Sequence, residues 1–304
     1  MRKQSTLALM YDVIIVGGGP AGLSAATVLG RCRRKVLLLD DGQYRNYASL
    51  AVHGFLTRDG IHPAELRRIG REQLQRYEVE YRTEHVRAAR CAEGGFELEL
   101  EDGSGARCRK LLLATGVVDR LPPVEGMERH YGCGVYHCPY CDGWEVRDQP
   151  LAVYGAGKSG AGLAVSLLDW SPDVVLCTDG PSRLNRREAA ELGARGIPVR
   201  EEKLARVEGN GEALEQIVFE NGAALPRAAL FLSTGQTQRC DLARNLGCEF
   251  TRKGAVRTGR LEGTNIPGLF VAGDASRDVQ LAVVAAAEGA KAAIAIHQAL
   301  SRGW

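Results

Sequence analysis

Residues 11–22 read YDVIIVGGGPAG, and the fold of the chain turns on them. "YDVIIV" is a continuous apolar, β-branched run, the pattern of a strand buried on both faces. It breaks into Gly17-Gly18-Gly19-Pro20-Ala21-Gly22 and then into LSAATVLGR, which reads as a helix. A second apolar run, KVLLLD, closes at Asp40, about 20 residues beyond the glycines. A G-x-G-x-x-G alone is weak evidence. With a strand before it, a helix after it and an acid closing the next strand, it marks a dinucleotide-binding βαβ unit. Gly17, Gly19 and Gly22 let the backbone approach a pyrophosphate where Pro20 and Ala21 open the helix. There, free N–H groups and the helix dipole favour negative charge. Asp40 is placed to accept hydrogen bonds from a ribose diol.

The pattern recurs. PLAVYGAGKSGAGLAVSLL carries Gly155, Gly157 and Gly160 between a strand and a helix, and the strand DVVLCTDG follows. LLLATGV (111–117, with Thr115 and Gly116) and LFLSTGQ (230–236) read as matching strand ends that return the chain from each unit. GLFVAGDAS (268–276) sets Gly273 and Asp274 at a further strand end, before the helical run LAVVAAAEGAKAAIAIHQAL. The expectation is an α/β fold with two Rossmann-like nucleotide-binding units.

Bulk properties narrow the function. A chain of 304 residues suits about two domains. Its 39 basic and 37 acidic side chains are largely interleaved, as in RRIGREQLQRYEVEYR, which reads as a solvated amphipathic helix. No basic stripe with aromatics points to nucleic acid, and no run of 18 apolar residues points to a membrane. The opening MRKQSTLALMYDVIIVGGG has a basic start but no small-residue cleavage site, so a first strand is expected rather than a signal peptide. The expected location is the cytoplasm, where thiols stay reduced. Nine cysteines, mostly isolated, make a poor disulfide framework, and the close pair in YHCPYCDG (136–143) stands out.

Two thiols separated by two residues serve as a metal clamp, a structural disulfide, a glutaredoxin-type site or the redox pair of a flavoenzyme. Zinc needs two more ligands at metal spacing, and only His137 is adjacent, so no metal is expected. A structural disulfide fits a reducing compartment poorly. The glutaredoxin pair follows a short first strand near the start of a small domain, which is not its place here.

GGGPAG, ATG, a CxxC-Asp-Gly, a second GxGxxG and GLFVAGD follow one another in an order that resembles the low-molecular-weight thioredoxin reductases of the pyridine-nucleotide-disulfide oxidoreductase family. The resemblance runs from Tyr11 to about residue 300. It implies an FAD domain split into 1–117 and 238–304, with a nucleotide-type domain inserted at 118–237, and a homodimer. It implies that Asp274 meets the flavin's ribityl chain and that Gln280, Leu281 and Ala282 lie along the isoalloxazine. It implies a flavin-coupled pair in which Cys141 faces the flavin, Cys138 exchanges with the substrate and Asp142 is the acid/base. His137, where a small residue is usual, is a candidate for lowering the pKa of Cys138. Cys133 reads as a packing residue.

Two departures bear on the electron donor. The family's His-Arg-Arg-x-x-x-Arg, which holds the 2′-phosphate of NADPH, is here Cys177-Thr178-Asp179-Gly180-Pro181-Ser182-Arg183. Only Arg183 is kept, and Asp179 puts repulsion, up to ~4 kcal/mol at contact, where attraction is needed. Asp179 suits the free ribose of NADH better, and use of NADPH, NADH or neither stays open. The segment HGFLTRDG, together with HCPYCDGWE, resembles the dithiol oxidases of the gliotoxin and holomycin type, which close a disulfide and pass electrons through CxxC and FAD to oxygen. His53 is then a candidate base. A C-terminal aromatic over the flavin, as in some NADPH-independent relatives, would here be Trp304. The expected function is an FAD-dependent thiol–disulfide oxidoreductase acting on a small-molecule or thioredoxin-like dithiol or disulfide. It is favoured as a dithiol oxidase or as a reductase driven by a donor other than NADPH. The alternatives are an NAD(P)H-dependent thioredoxin reductase and a non-catalytic flavin redox sensor.

Overall fold

The structure, a computed structural model, describes residues 10–210, 213–276 and 279–303; Trp304 lies outside them. By its internal contacts the chain divides into two compact units. Unit 1 takes the described residues of 1–47, 54–118 and 237–304, and unit 2 takes 48–53 and 119–236. The segment Ala48–His53, which the sequence places with the first part, therefore groups with unit 2.

Unit 1 begins with β1 (Met10–Val16), α1 (Pro20–Arg31) and β2 (Val36–Asp40). Then come α2 (Pro63–Leu74), β3 (Glu80–Thr83), β4 (Val86–Ala92), β5 (Gly95–Leu100) and β6 (Gly105–Leu113). Strands β3, β2, β1 and β6 run parallel, with Ile14 opposite both Leu37 and Leu111. β5 and β4 extend the sheet antiparallel from the first half of β6. Ile14, Ile15, Leu37, Leu38, Leu111 and Leu112 are wholly buried, as a both-faces-covered strand requires. Each such side chain contributes about 1.5–3 kcal/mol. The amphipathic run expected over 67–82 is α-helical only as far as Leu74 and continues as a 3₁₀ turn through Gln75–Tyr77. Glu78 turns left-handed (φ 55°), and the remainder becomes edge strand β3, with Tyr81 paired to Leu38. The short strand β7 (Val117–Asp119) leads out of unit 1.

Unit 2 comprises α3 (Met127–His130), β8 (Val135–Tyr136), α4 (Pro139–Asp142), β9 (Leu151–Tyr154), α5 (Gly157–Leu167), β10 (Val174–Cys177) and α6 (Arg186–Ala194). β11 (Val199–Arg200), β12 (Leu204–Gly209), β13 (Leu214–Phe219), β14 (Ala224–Pro226) and β15 (Ala229–Leu232) complete it. A parallel sheet runs β11-β10-β9-β15-β8, and β12-β13-β14 form an antiparallel sheet. Leu151, Val153, Leu176 and Phe231 fill one apolar cluster of this unit, and Val135, Ala152, Ile217 and Leu230 another.

β16 (Gln236–Gln238) leads back to unit 1, which adds α7 (Leu242–Asn245), β17 (Leu269–Val271) and α8 (Ala282–Ser301). β17 joins the large sheet beside β6, with Phe270 opposite Leu112. α8 packs on α1 backbone to backbone: a Cβ on Gly289 would lie 2.0 Å from the Ala21 carbonyl oxygen. Gly289→Ala would force the two helices apart. Among the described residues no helix is long and apolar enough to cross a membrane.

Candidate active site

The chemistry centres on a single turn of helix. Pro139 at the first helical position suits α4, because its fixed φ is helical and its missing N–H is not needed there. Cys138 is extended (φ −129°, ψ 106°), and its carbonyl accepts from the N–H groups of Cys141 (3.1 Å) and Asp142 (3.2 Å). This turn leaves the two Cα atoms 5.3 Å apart, and Cys138 and Cys141 are joined in a disulfide. Gly143 follows because nothing larger fits: a Cβ would lie 2.5 Å from the Pro139 carbonyl oxygen and 3.0 Å from the Trp170 ring.

Asp142 has its pKa pushed up from 3.8 to about 7, first by burial and then by the nearby Glu145 charge, with His53 opposing both. His53 Nε2 lies 3.4 Å from Glu145 Oε1. Asp142, Glu145 and His53 thus form one electrostatic group within unit 2. Sequence reading left out Glu145. It lies four residues after Cys141, but α4 ends at Asp142, so helical spacing gave no warrant for it.

His137 precedes Cys138 in the chain; its Nδ1 lies 3.1 Å from the Tyr131 hydroxyl, and that hydroxyl donates to Asp119 Oδ2 at 2.8 Å. The Tyr131 and His137 rings stack with centroids 6.1 Å apart. Aromatic side chains lie within the CPYC sequence and just after it. Tyr140 meets Trp170 edge-on at 5.6 Å, and the Arg147 guanidinium sits 4.1 Å over the Trp144 ring.

Unit 1 gathers the first glycine motif and the GLFVAGD turn. Gly17 (φ 109°) makes the turn, and Gly22 packs the helix on the strand, since a Cβ there would lie 1.8 Å from the Gly17 carbonyl oxygen. A Cβ at Gly19 would meet nothing within 4 Å, so the loop faces open space where a pyrophosphate needs it. No side chain caps the N-terminus of α1 or of α8, at Gly19 and Leu281. Gly273 (φ 81°) approaches Ala21, with 3.1 Å between its ideal Cβ and that of Ala21, and its N–H donates to the buried Glu288 carboxylate at 2.9 Å. Thr115 and Gly116 (φ 69°) end β6, and Gly116 accepts from the Arg239 N–H. The uncapped helix ends and the open Gly19 face fit an anionic dinucleotide such as FAD.

Two acids expected to meet FAD have partners within unit 1. Asp40 is 2% exposed, and its carboxylate accepts from the N–H groups of Gly18 (3.1 Å) and Gly42 (3.4 Å) and from the hydroxyls of Tyr44 and Tyr81 (2.7 Å). It braces the glycine loop. Asp274 pairs with Arg45 at 2.8 Å, and the same guanidinium nitrogen donates to Gln280 Oε1 at 2.6 Å. Arg45 had no signal in sequence, since its partners lie more than 220 positions away.

The second glycine motif has the same frame but a different occupant. Gly160 packs against Gly155 as Gly22 does against Gly17, with an ideal Cβ 2.7 Å from the Gly155 carbonyl carbon. At Gly157, however, the N–H donates to the Ser182 carbonyl at 2.7 Å, and a Cβ there would lie 3.5 Å from the Arg183 carbonyl oxygen. Residues 179–183 fold over the loop with Asp179 (φ 53°), Gly180 (φ 124°) and Arg183 (φ 51°) all left-handed. Asp179 accepts from the Tyr154 hydroxyl (2.7 Å) and the Leu204 N–H (2.8 Å), so both oxygens that might have met a ribose are engaged. Glu201 fastens the strap through its side chain to the Ser182 N–H (2.9 Å) and through its carbonyl to the Gly180 N–H (3.0 Å).

Known proteins agree with this architecture. The family model described as "Pyridine nucleotide-disulphide oxidoreductase" matches residues 11–289. A probable thioredoxin reductase of Arthroderma benhamiae is 30% identical over 96% of this chain and 81% of its own length. Among solved structures, a putative thioredoxin reductase TrxB from Bacillus anthracis superposes with a TM-score of 0.91 at 32% identity, covering 96% of this chain and 99% of that one. The structure of HlmI superposes with a TM-score of 0.92 at 34% identity, covering 96% and 93%. With its two Rossmann-like units and its bridged CxxC, the chain belongs to the pyridine nucleotide-disulphide oxidoreductases, as an FAD-dependent enzyme of the thioredoxin reductase type.

Proposed function

We propose that this enzyme oxidises a dithiol to a disulfide through Cys138 and Cys141, with FAD in unit 1 and without a nicotinamide nucleotide. The observation that carries this reading is the Gly157 N–H bonded to the Ser182 carbonyl. The donor that a second dinucleotide's pyrophosphate would use is engaged by the chain itself. The loss of the phosphate-binding arginines around Asp179 supports the same reading.

The chain's own groups suffice for exchange. A substrate thiol, on losing its proton, attacks Cys138 Sγ; the S–S bond breaks and Cys141 leaves as a thiolate. The second substrate thiol then attacks the substrate sulfur of the mixed disulfide, freeing Cys138 and closing the product disulfide. The substrate loses two electrons and two protons, and the cysteine pair gains the two electrons. Asp142, with its pKa near 7, takes or gives a proton at neutral pH, which an ordinary aspartate does poorly. Glu145 keeps it basic, and the His53 charge tempers that effect. When bound, FAD would supply the acceptor for the two electrons and their route to oxygen. Gly19, the α1 N-terminus, Gly273, Asp274, Gln280, Leu281 and Ala282 would hold it.

An anaerobic titration of the holoprotein with NADPH, NADH and a dithiol, followed by flavin bleaching, tests this. The expected result is bleaching by the dithiol alone, with recovery in air. Prompt stoichiometric bleaching by either nucleotide would replace the oxidase reading with that of a nicotinamide-dependent disulfide reductase.

A further inference from the structure

Charged groups are tied to both ends of the CPYC sequence, and the proposed function uses only one set. Asp142, with Glu145 and His53, follows Cys141 in the chain. His137, which precedes Cys138, belongs to a hydrogen-bonded series with Tyr131, the residue after α3, and Asp119, at the start of unit 2. Donor logic orders it. The Tyr131 hydroxyl has one proton and gives it to Asp119 Oδ2 at 2.8 Å. Its oxygen can then only accept from His137, so Nδ1, at 3.1 Å, carries a proton. In this arrangement Nδ1 holds its proton toward the Tyr131 oxygen. Asp119 Oδ2 lies 3.8 Å from Nδ1 with its side chain only 8% exposed, so it favours the imidazolium. Tyr131 is itself buried and stacks on the ring, which keeps the imidazole from turning.

We propose that Tyr131 and Asp119 are positioning residues for His137, and that this series maintains a cation beside Cys138 that raises the thiolate fraction of the exchanging sulfur. The proposal rests on the reading of Cys138 as the exchanging cysteine. A thiolate next to an oriented imidazolium is the arrangement that makes a cysteine nucleophilic at neutral pH. In the reduced pair the Cys138 proton passes to solvent while the imidazolium keeps its charge, and no electrons move in that step. The two sides of the pair then divide the work. His137 serves the sulfur that meets the substrate, and Asp142 is the acid/base of the turn itself. The charged and titratable groups around His137 and the pair are Asp119, Tyr131, Asp142, Glu145 and His53, together with Tyr136 and Cys133.

The test uses full-length holoprotein reduced with a dithiol, a state that needs neither oxygen nor nicotinamide, so it stands apart from the oxidase question. Iodoacetamide alkylation of Cys138 and Cys141 is followed separately by peptide mass spectrometry across pH 5–9. Tyr131→Phe and Asp119→Asn are near-isosteric, and an unchanged flavin spectrum and melting temperature show that each variant folds. The expected result is slower Cys138 alkylation near pH 6.5, with its midpoint moved to higher pH. The loss should be roughly tenfold for His137→Ala and severalfold for Tyr131→Phe and Asp119→Asn. The Tyr131→Phe/Asp119→Asn double variant should be no slower than the worse single one, and Cys141 should be little affected. If folded Tyr131→Phe and Asp119→Asn keep the wild-type pH profile while His137→Ala does not, His137 acts unaided and the positioning role falls. If all three keep it, the whole series is structural.

Discussion

The two glycine loops share a frame and differ in what meets it. In each, the third glycine packs against the first, and the second sits where a phosphate would approach. The first loop leaves open space at Gly19. The second gives its Gly157 N–H to the Ser182 carbonyl and lies under a strap of left-handed residues. A G-x-G-x-x-G therefore specifies a turn and a packing distance. Occupancy is decided by the segment after the second strand. After β2 the chain runs on to Tyr44 and Arg45, which tie to Asp40 and Asp274; after β10 it doubles back over the loop.

The largest expected effect on cofactor binding comes from adding one carbon to each loop. Gly19→Ala puts a methyl group into the open face and should weaken FAD binding roughly 100-fold, about 2.7 kcal/mol, in flavin fluorescence titrations. Gly157→Ala should leave FAD content and dithiol turnover unchanged and cost only about 1–2 kcal/mol for a non-glycine residue at positive φ. A Gly157→Ala protein that bound FAD but lost turnover would show that the second loop is in use, and the contrast would collapse.

The acids give the next contrast, with opposite signs. Asp40 has its oxygens satisfied by four donors, whereas Asp142 is buried beside the like charge of Glu145. Asp40→Asn should destabilise by about 2 kcal/mol by removing a charged acceptor from buried hydroxyls. Asp142→Asn should stabilise, and increasingly so as pH rises. A carboxyl raised from 3.8 to about 7 contributes stability that is complete below 3.8 and lost as pH rises through about 7. The variant has no such loss, so its advantage in urea midpoints should grow from pH 5 to pH 8, reaching about 2–4 kcal/mol. An advantage that stays flat with pH would mean that Asp142 titrates normally and is no acid near neutrality.

Much of this was legible because it is local. The apolar runs at 11–16 and 35–40, the glycine spacings and the proline after Cys138 each act within a few residues, and the strands, turns and redox helix stand where those signals put them. The rest depends on residues that meet only after folding. Tyr81 reaches Asp40 from a strand that reads as the tail of a helix, and the break at Glu78 needs a left-handed glutamate that composition does not announce. Arg45 meets Asp274 across most of the chain, and Asp119 meets His137 both through Tyr131 and directly at 3.8 Å. The Asp179 substitution was visible as a lost attraction for phosphate. That the same carboxylate would hold down a strap was not, because its donors, Tyr154 and Leu204, carry no mark of it in sequence.

The smallest effect separates the acid from the strap it fastens. Asp179→Ala removes the acceptor for the Tyr154 hydroxyl and the Leu204 N–H, both part-buried, and should cost about 1 kcal/mol. It also removes the repulsion of a 2′-phosphate. If repulsion alone barred NADPH, this variant should begin to bleach with the nucleotide. The geometry argues that it will not, because Gly157 still donates to the Ser182 carbonyl and Glu201 still holds the Ser182 and Gly180 N–H groups. Bleaching of Asp179→Ala by NADPH would place the bar in one charge. Silence, joined by the Asp179→Ala/Glu201→Ala pair gaining nucleotide binding in a fluorescence titration, would place it in the strap.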